Sequence, residues 1–195
     1  MSELSWLRVR AWRIFGAAIY VSWRVFVATA LLAVIALKSP IMAVGATISY
    51  LAIIFVHELG HAWVANRLGY EVFAIRIGLI HGRCEFEAPY SLWDAALVSW
   101  GGVLAQLLVA AVVLLIGSVL PNNIGNYFGP IVLFLGYLNV VIAVGNLAPR
   151  CGLDGALAWQ VFPEMVRRYR GRDTVRDAIR RASKRNPKIG SPDPR

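Results

Sequence analysis

The stretch Phe55-Val-His-Glu-Leu-Gly-His-Ala-Trp63 places three ionisable side chains inside an apolar run. Residues four apart lie on one face of a helix, so His57 and His61 can point their imidazoles at one metal ion. Glu58 lies on the adjacent flank, where its carboxylate can reach a water on that metal without binding the metal itself. This HExxH pattern is typical of zinc hydrolases. It predicts His57 and His61 as metal ligands and Glu58 as the catalytic base.

The surroundings of this motif add to its meaning. It lies in a stretch, residues 41–65, that is apolar and long enough to span a bilayer. Ionisable side chains are costly at that depth and usually mark a functional site. A structural helix that merely tolerates two histidines and a glutamate is therefore the weaker interpretation.

The composition indicates an integral membrane protein. Of the 195 residues, 58% are hydrophobic and 16% are charged, a balance that soluble domains do not have. Residues 71–87 are rich in β-formers and predict a short membrane-associated β hairpin. We therefore expect an α-helical polytopic membrane protein with about four transmembrane helices and this hairpin between the second and third. The predicted spans are 14–37, 41–65, 95–120 and 128–148.

The net charge of +9 is concentrated near the C-terminus, where residues 167–195 hold eleven Lys/Arg against three Asp. We interpret residues 1–165 as a membrane-embedded metalloprotease domain and residues 166–195 as a basic cytoplasmic tail, partly disordered. The positive-inside rule places both termini and the hairpin in the cytoplasm of a multi-pass cell-membrane protein. We expect contact with anionic lipid, no nucleic-acid partner and no cleavable signal peptide. The seven tryptophans are interpreted as membrane-interface anchors.

A zinc ion held by two histidines needs a third protein ligand and one open position for water. Asp154 is the leading candidate because it follows a helix break at Pro149, at the end of the fourth apolar stretch and at the depth of the histidines. Irregular backbone at that depth is tolerated where it lines a cavity. Cys151 is a softer ligand near the same break, and Glu164 is a more distant alternative. His81 in the hairpin could be a regulatory ligand, although an ordinary solvated histidine is the simpler interpretation.

Two motifs together resemble the site-2 protease family of intramembrane zinc metalloproteases. HExxH in one span is followed by the segment Asn146-Leu-Ala-Pro-Arg-Cys-Gly-Leu-Asp-Gly155. That segment is similar to the family's N-x-x-P-x-x-x-L-D-G motif, which follows HExxH at a similar distance. The resemblance is specific because both motifs carry residues of the family's metal site.

The resemblance covers roughly residues 14–160. Residues 16–23 look like the Gly-to-Trp start of the family's first span, and residues 69–82 look like its membrane-associated β segment. Gly102-Val-Leu-Ala-Gln106 lies where the family commonly has G-P-x-x-N. The amide of Gln106 is retained in place of Asn, so an altered preference is expected and not a loss of chemistry.

What the resemblance implies is hydrolysis of peptide bonds within the membrane, with one zinc ion per chain. It implies Asp154 as the third ligand, and Asn146 and Gln106 as candidates to hold the substrate backbone or the oxyanion. The expected substrates are single-span membrane proteins, such as an anti-sigma factor, a membrane-tethered regulator or a signal-peptide remnant. The chain would be a compact member of the family, without a PDZ or CBS domain.

Two other classes of protein compete with this interpretation. A non-catalytic membrane protein could use the same cavity to hold a transmembrane partner, although it would not need a complete set of His57, Glu58, His61 and Asp154. A metal transporter would distribute its ligands along a path through the bilayer, whereas these ligands cluster at one depth.

Overall fold

The structure is a computed structural model, and it describes residues 6–35, 39–79, 82–121 and 128–171. The described strands form one four-stranded sheet in which their spatial order follows the chain. Strands β1 and β2 pair antiparallel, β2 and β3 pair parallel, and β3 and β4 pair antiparallel. The strands are β1 Trp6–Ile14, β2 Ala17–Ser22, β3 Val72–Ile77 and β4 Arg83–Phe86.

A parallel pair needs a long crossover connection, and two helices supply it between β2 and β3. They are α1, Trp23–Ile35, and α2, Pro40–Arg67. The sheet packs against α2 through two groups of buried apolar side chains. One group includes Ala62, Ala65, Val72 and Ile75, and the other includes Ile19, Val25, Ile54 and Ile77.

Three described helices are long and apolar enough to cross a membrane. They are α2, then α3, Leu92–Val119, and α4, Phe128–Asn146, with mean hydropathies of 1.8, 2.5 and 2.1 in their most apolar windows. Helix α4 contains a π-helical segment, Val132–Leu138. The chain is therefore a membrane protein.

Helices α2 and α3 touch through their backbones. A Cβ atom added at Gly60 would lie 2.3 Å from the carbonyl oxygen of Gly101, and one added at Gly101 would lie 2.7 Å from that of Gly60. Small residues at a helix crossing permit this approach. The close crossing brings the HExxH turn of α2 directly against the first half of α3.

The chain after α4 is irregular over residues 147–154. It then forms the short helix α5, Gly155–Ala158, and a further helical segment over residues 161–171. The predicted tail therefore begins as a helix, and residues 172–195 lie outside the described part of the chain. The orientation of the termini stays a prediction.

The prediction of a spanning helix over residues 14–37 is wrong for its first half. Residues 17–22 form β2, and the helix that follows, α1, has 13 described residues. The alternating burial of Ala17 and Ile19 fits a strand, and its parallel partner β3 lies about fifty residues later in the chain. A single-sequence pattern could not show that pairing, so apolar content alone favoured a helix.

The strands predicted in residues 71–87 are present as β3 and β4, which lie between α2 and α3. They are the second half of the four-stranded sheet and not an isolated hairpin. His81 lies outside the described residues.

Candidate metal centre

The two motif histidines lie one helical turn apart near the C-terminal end of α2. Their Nε2 atoms are 3.0 Å apart, and their rings meet edge to face with centroids 4.6 Å apart. His61 is buried, with 8% of its surface exposed. Two ring nitrogens that converge in this way offer two ligand atoms to one small space.

Asp154, more than ninety residues after the histidines, completes this group of ligand atoms. Its Oδ2 lies 3.0 Å from Nε2 of His57, and its Oδ1 lies 3.3 Å from Nε2 of His61. The ligand atoms of the three residues all lie within 4.8 Å of one another. Burial alone would raise the pKa of the Asp154 carboxyl, but hydrogen bonds with the two imidazoles hold that pKa well below its usual range. The side chain is therefore the carboxylate that metal binding requires.

Each imidazole is fixed by a contact at its other nitrogen. Nδ1 of His57 lies 2.9 Å from Oε1 of Gln106, and Nδ1 of His61 lies 2.7 Å from the carbonyl oxygen of Val98. With oxygen acceptors at both positions, each Nδ1–H donates. Nε2 is therefore the nitrogen of each ring that faces Asp154, and it would bind a metal ion once its own proton is lost. Such outer contacts set the tautomer and the ring orientation of metal-binding histidines.

Gly102 forms the wall of the site on α3. A Cβ atom at this position would lie 2.5 Å from Nε2 of His61 and 2.9 Å from Cε1 of His57. A side chain here would displace both rings, so the close fit requires glycine.

Glu58 is 4% exposed and lies under the strand β4. Its carboxylate lies beside the backbone of Cys84. A Cβ atom at Gly82 would lie 2.4 Å from Cγ of Glu58, which shows how closely the chain before β4 covers this residue. Burial, with Glu58 and Glu85 nearby, raises the pKa of the Cys84 thiol to about 12. Cys84 is not one of the three residues whose ligand atoms converge in the described part of the chain.

Two tryptophans fasten the segment that carries Asp154. The indole N–H of Trp159 donates to the carbonyl oxygen of Leu147 at 2.6 Å, and that of Trp100 donates to the carbonyl oxygen of Ala158 at 3.0 Å. The two rings also meet edge to face at 5.9 Å. The interpretation of all tryptophans as membrane-interface anchors missed this role. The signal available in the sequence was that Trp159 follows Asp154 by only five residues.

The site opens into a cavity of about 790 Å³ whose remaining lining is mostly apolar. Asn146 and Gln106, predicted to hold substrate, both line it. The alternatives to Asp154 lie elsewhere: Cys151 is exposed, and Glu164 pairs with Arg167 at 3.1 Å. Zinc is bound in proteins by histidine nitrogen and carboxylate oxygen, commonly with two histidines and one carboxylate in hydrolases. The donor set formed by His57, His61 and Asp154 therefore fits zinc.

Comparisons with known proteins agree with this geometry. No protein-family model matches the chain. A protein of Synechocystis sp. (strain ATCC 27184 / PCC 6803 / Kazusa), named "Putative zinc metalloprotease", is 30% identical over 116 residues. The matched part is 56% of this chain and 30% of that protein, so the chain spans about a third of its curated relative.

The structure also resembles that of the site-2 protease from Methanocaldococcus jannaschii. The TM-score is 0.60 with 18% sequence identity, and the match covers 82% of this chain and 72% of that one. This likeness establishes a shared fold. With both of its motifs meeting at one site within that fold, the chain's resemblance to the site-2 protease family is confirmed.

Proposed function

We propose that this chain is an intramembrane zinc metalloendopeptidase. It hydrolyses a peptide bond in or near the transmembrane segment of a membrane-protein substrate, as in regulated intramembrane proteolysis. The observation that carries the proposal is the convergence of His57, His61 and Asp154 within 4.8 Å, in a cavity that Glu58 also lines. That cavity lies among three helices long and apolar enough to cross a membrane.

In this proposal His57, His61 and Asp154 hold one zinc ion. Bound there, zinc supplies a water of lowered pKa and polarises the carbonyl of the bond to be cut. Glu58 takes the proton of the attacking water and passes it to the leaving amide nitrogen. The close cover of Glu58 by Gly82 supports this role, because it limits the positions that the carboxylate can take beside the cavity.

We infer a task for the amide of Gln106 other than the substrate binding that the family resemblance implied. Its Oε1 lies against Nδ1 of His57, and the side chain is 1% exposed. The backbone carbonyl of Gln106 in turn accepts a hydrogen bond from Asn139 at 3.0 Å. We therefore assign Gln106 to the orientation of His57. Asn146, which also lines the cavity, is the better candidate to hold the substrate backbone.

The strand β4 supports a mode of substrate binding. A transmembrane helix hides its carbonyl groups in its own hydrogen bonds, so a substrate must unwind locally before it is cut. Strand β4 is an edge of the described sheet, and three of its residues, Arg83, Cys84 and Phe86, line the cavity beside Glu58. An unwound segment can add to such an edge as a further strand.

The proposed substrates are single-span membrane proteins, such as an anti-sigma factor, a membrane-tethered regulator or a signal-peptide remnant. The apolar lining of the cavity supports such a substrate. The excess of Lys and Arg at the C-terminus supports an orientation with both termini in the cytoplasm.

The substitution Glu58→Gln tests the proposal. Gln is nearly isosteric and cannot accept the proton of the water, so cleavage should fall by at least ~10²-fold. Zinc should stay bound, because Glu58 is not one of the three ligands. The measurements are cleavage of single-span substrates in membranes and zinc per purified chain, with wild type as the reference. Cleavage at the wild-type rate by Glu58→Gln would remove Glu58 as the catalytic base. Absence of cleavage by the wild type itself, with substrate still bound, would favour a non-catalytic protein that holds a transmembrane partner.

A further inference from the structure

The helical segment of residues 161–171 has an apolar stripe that is about half exposed, with the ring of Phe162 stacked on Trp159. Phe162, Met165, Val166 and Tyr169 are spaced at i, i+3, i+4 and i+7, which places them on one side of a helix. Between 48% and 69% of each of these residues is exposed. Such an amphipathic face needs a partner, because water is an unfavourable neighbour for a continuous apolar stripe.

The charged residues of this segment are ordered around the stripe. At 100° per residue, Arg168 and Arg170 flank the stripe on its two sides. Glu164 and Arg167 lie on the opposite side, where they form an ion pair at 3.1 Å. Arginines beside an apolar stripe can direct their guanidinium groups to phosphate while the stripe enters an apolar layer.

The segment lies at the ends of two helices that are long and apolar enough to cross a membrane. The guanidinium of Arg168 lies 4.8 Å above the ring of Trp93, in the first turn of α3. At the same end of the helix pair, Arg67 in the last turn of α2 lies 5.5 Å above the ring of Trp63. Tryptophan and arginine at the ends of spanning helices are typical of the headgroup region.

We propose that residues 161–171 form a docking surface for the anionic phospholipid headgroups of the bilayer that holds the chain. The charge of the segment favours anionic lipid over a second copy of this chain as the partner of the stripe. A second copy of the segment would bring the same arginines together, and the sequence that follows, residues 172–195, is also rich in Lys and Arg. An anionic lipid surface complements both the stripe and its flanking cations. This inference depends on neither zinc nor cleavage.

Fluorescence quenching of the full chain in vesicles tests the proposal. The native thiols are removed with Cys84→Ala and Cys151→Ser, and a fluorophore is attached to Val166→Cys in the stripe. The matched control carries it at Gly171→Cys, on the opposite side, where a Cβ atom meets open space. In phosphatidylcholine vesicles that contain phosphatidylglycerol, a lipid-borne quencher should act on the label at 166, and a water-soluble quencher on the label at 171. In vesicles of phosphatidylcholine alone, lipid quenching at 166 should fall.

A charge variant sharpens this test. Arg168→Gln should weaken partition of the stripe by about fivefold, the effect of one basic residue near an anionic surface. Arg150→Gln removes the same charge from an exposed loop residue outside the segment and should have a smaller effect. Equal access of the aqueous quencher to both labels in anionic vesicles would overturn the docking surface. Equal lipid quenching at 166 with and without phosphatidylglycerol would show that the docking surface does not prefer anionic lipid. A dependence on the protein-to-lipid ratio would show that a second copy is the occupant.

Discussion

The candidate metal centre has two halves that are built in different ways. His57, Glu58 and His61 lie on one continuous helix, α2, whose periodicity alone places the two imidazoles on one face. Asp154 lies at the end of an irregular segment and at the start of the four-residue helix α5. No helical repeat directs its carboxylate toward the histidines. Its position depends on side-chain contacts to this segment, from Trp159 at its own C-terminal end and from Trp100 on α3.

The difference teaches where the site is sensitive. On the helix half, changes outside the histidines should matter only if they touch the rings directly, because the backbone is held by its own hydrogen bonds. On the Asp154 half, residues that touch neither metal ligand nor substrate should also matter. Four predictions, taken from the largest expected effect to the smallest, test this contrast.

The largest effect is expected from removal of a ligand on either half. Asp154→Ala and His57→Ala should each abolish zinc binding, because two remaining protein ligands do not complete a zinc site. Zinc per purified chain, measured by elemental analysis, checks this. Cys151→Ala is the matched control on the same irregular segment, and it should keep its zinc because Cys151 is exposed and outside the cluster. The opposite result, zinc kept by Asp154→Ala and lost by Cys151→Ala, would give the ligand role to the cysteine.

The same contrast explains what the sequence could predict. HExxH within an apolar stretch identified His57, Glu58 and His61, since helical spacing converts directly into geometry. The place of Asp154 after a helix break was enough to select it as a ligand. The contacts that hold its segment in position could not be predicted. The contact of Trp100 with Ala158 joins residues 58 positions apart in the chain, and the pairing of β2 with β3 is likewise non-local. Such non-local pairings leave little trace in a single sequence.

The next largest effect is expected at Gly102, on the wall of the helix half. Gly102→Ala would place a Cβ atom 2.5 Å from Nε2 of His61, so the rings must move. A displacement of about 1 Å at a reacting site can cost roughly a hundredfold in rate. Gly145→Ala is the matched control, because that position in α4 has no atom within 4 Å of the added Cβ. Gly102→Ala should cleave more slowly and bind zinc less tightly than Gly145→Ala. Equal values for the two variants would show that Gly102 does not set the positions of the histidine rings.

Gln106 tests whether the helix half depends on any residue outside α2. Gln106→Leu removes the acceptor at Nδ1 of His57 and should weaken zinc binding by about 10- to 100-fold, the usual cost of losing an outer contact of a metal-binding histidine. Gln106→Glu retains an acceptor oxygen and should keep most of the affinity. Competition with a chelator gives both values. If Gln106→Leu bound zinc as wild type does but cleaved poorly, Gln106 would contact substrate, as the family resemblance implied.

The smallest effect is expected at Trp159, and it examines the Asp154 half alone. Trp159→Phe keeps an aromatic ring against Trp100 and Phe162 but removes the N–H that donates to the carbonyl oxygen of Leu147. Loss of one such hydrogen bond costs about 1 kcal/mol, which is about fivefold in the population of segments that hold Asp154 in place. Zinc affinity should fall by a similar factor, because a ligand that must first be ordered binds less tightly.

The control for that change lies on the other half of the site. Trp63 is on α2, two residues after His61, and its ring lies 5.5 Å from the guanidinium of Arg67. Trp63→Phe makes the same chemical change at a similarly exposed position, yet zinc affinity should stay at the wild-type value, because the helix backbone holds the histidines without it. Equal losses in the two variants would mean that both halves rely on tryptophan side chains outside the ligand set. A loss in Trp159→Phe alone would show that only the Asp154 half does.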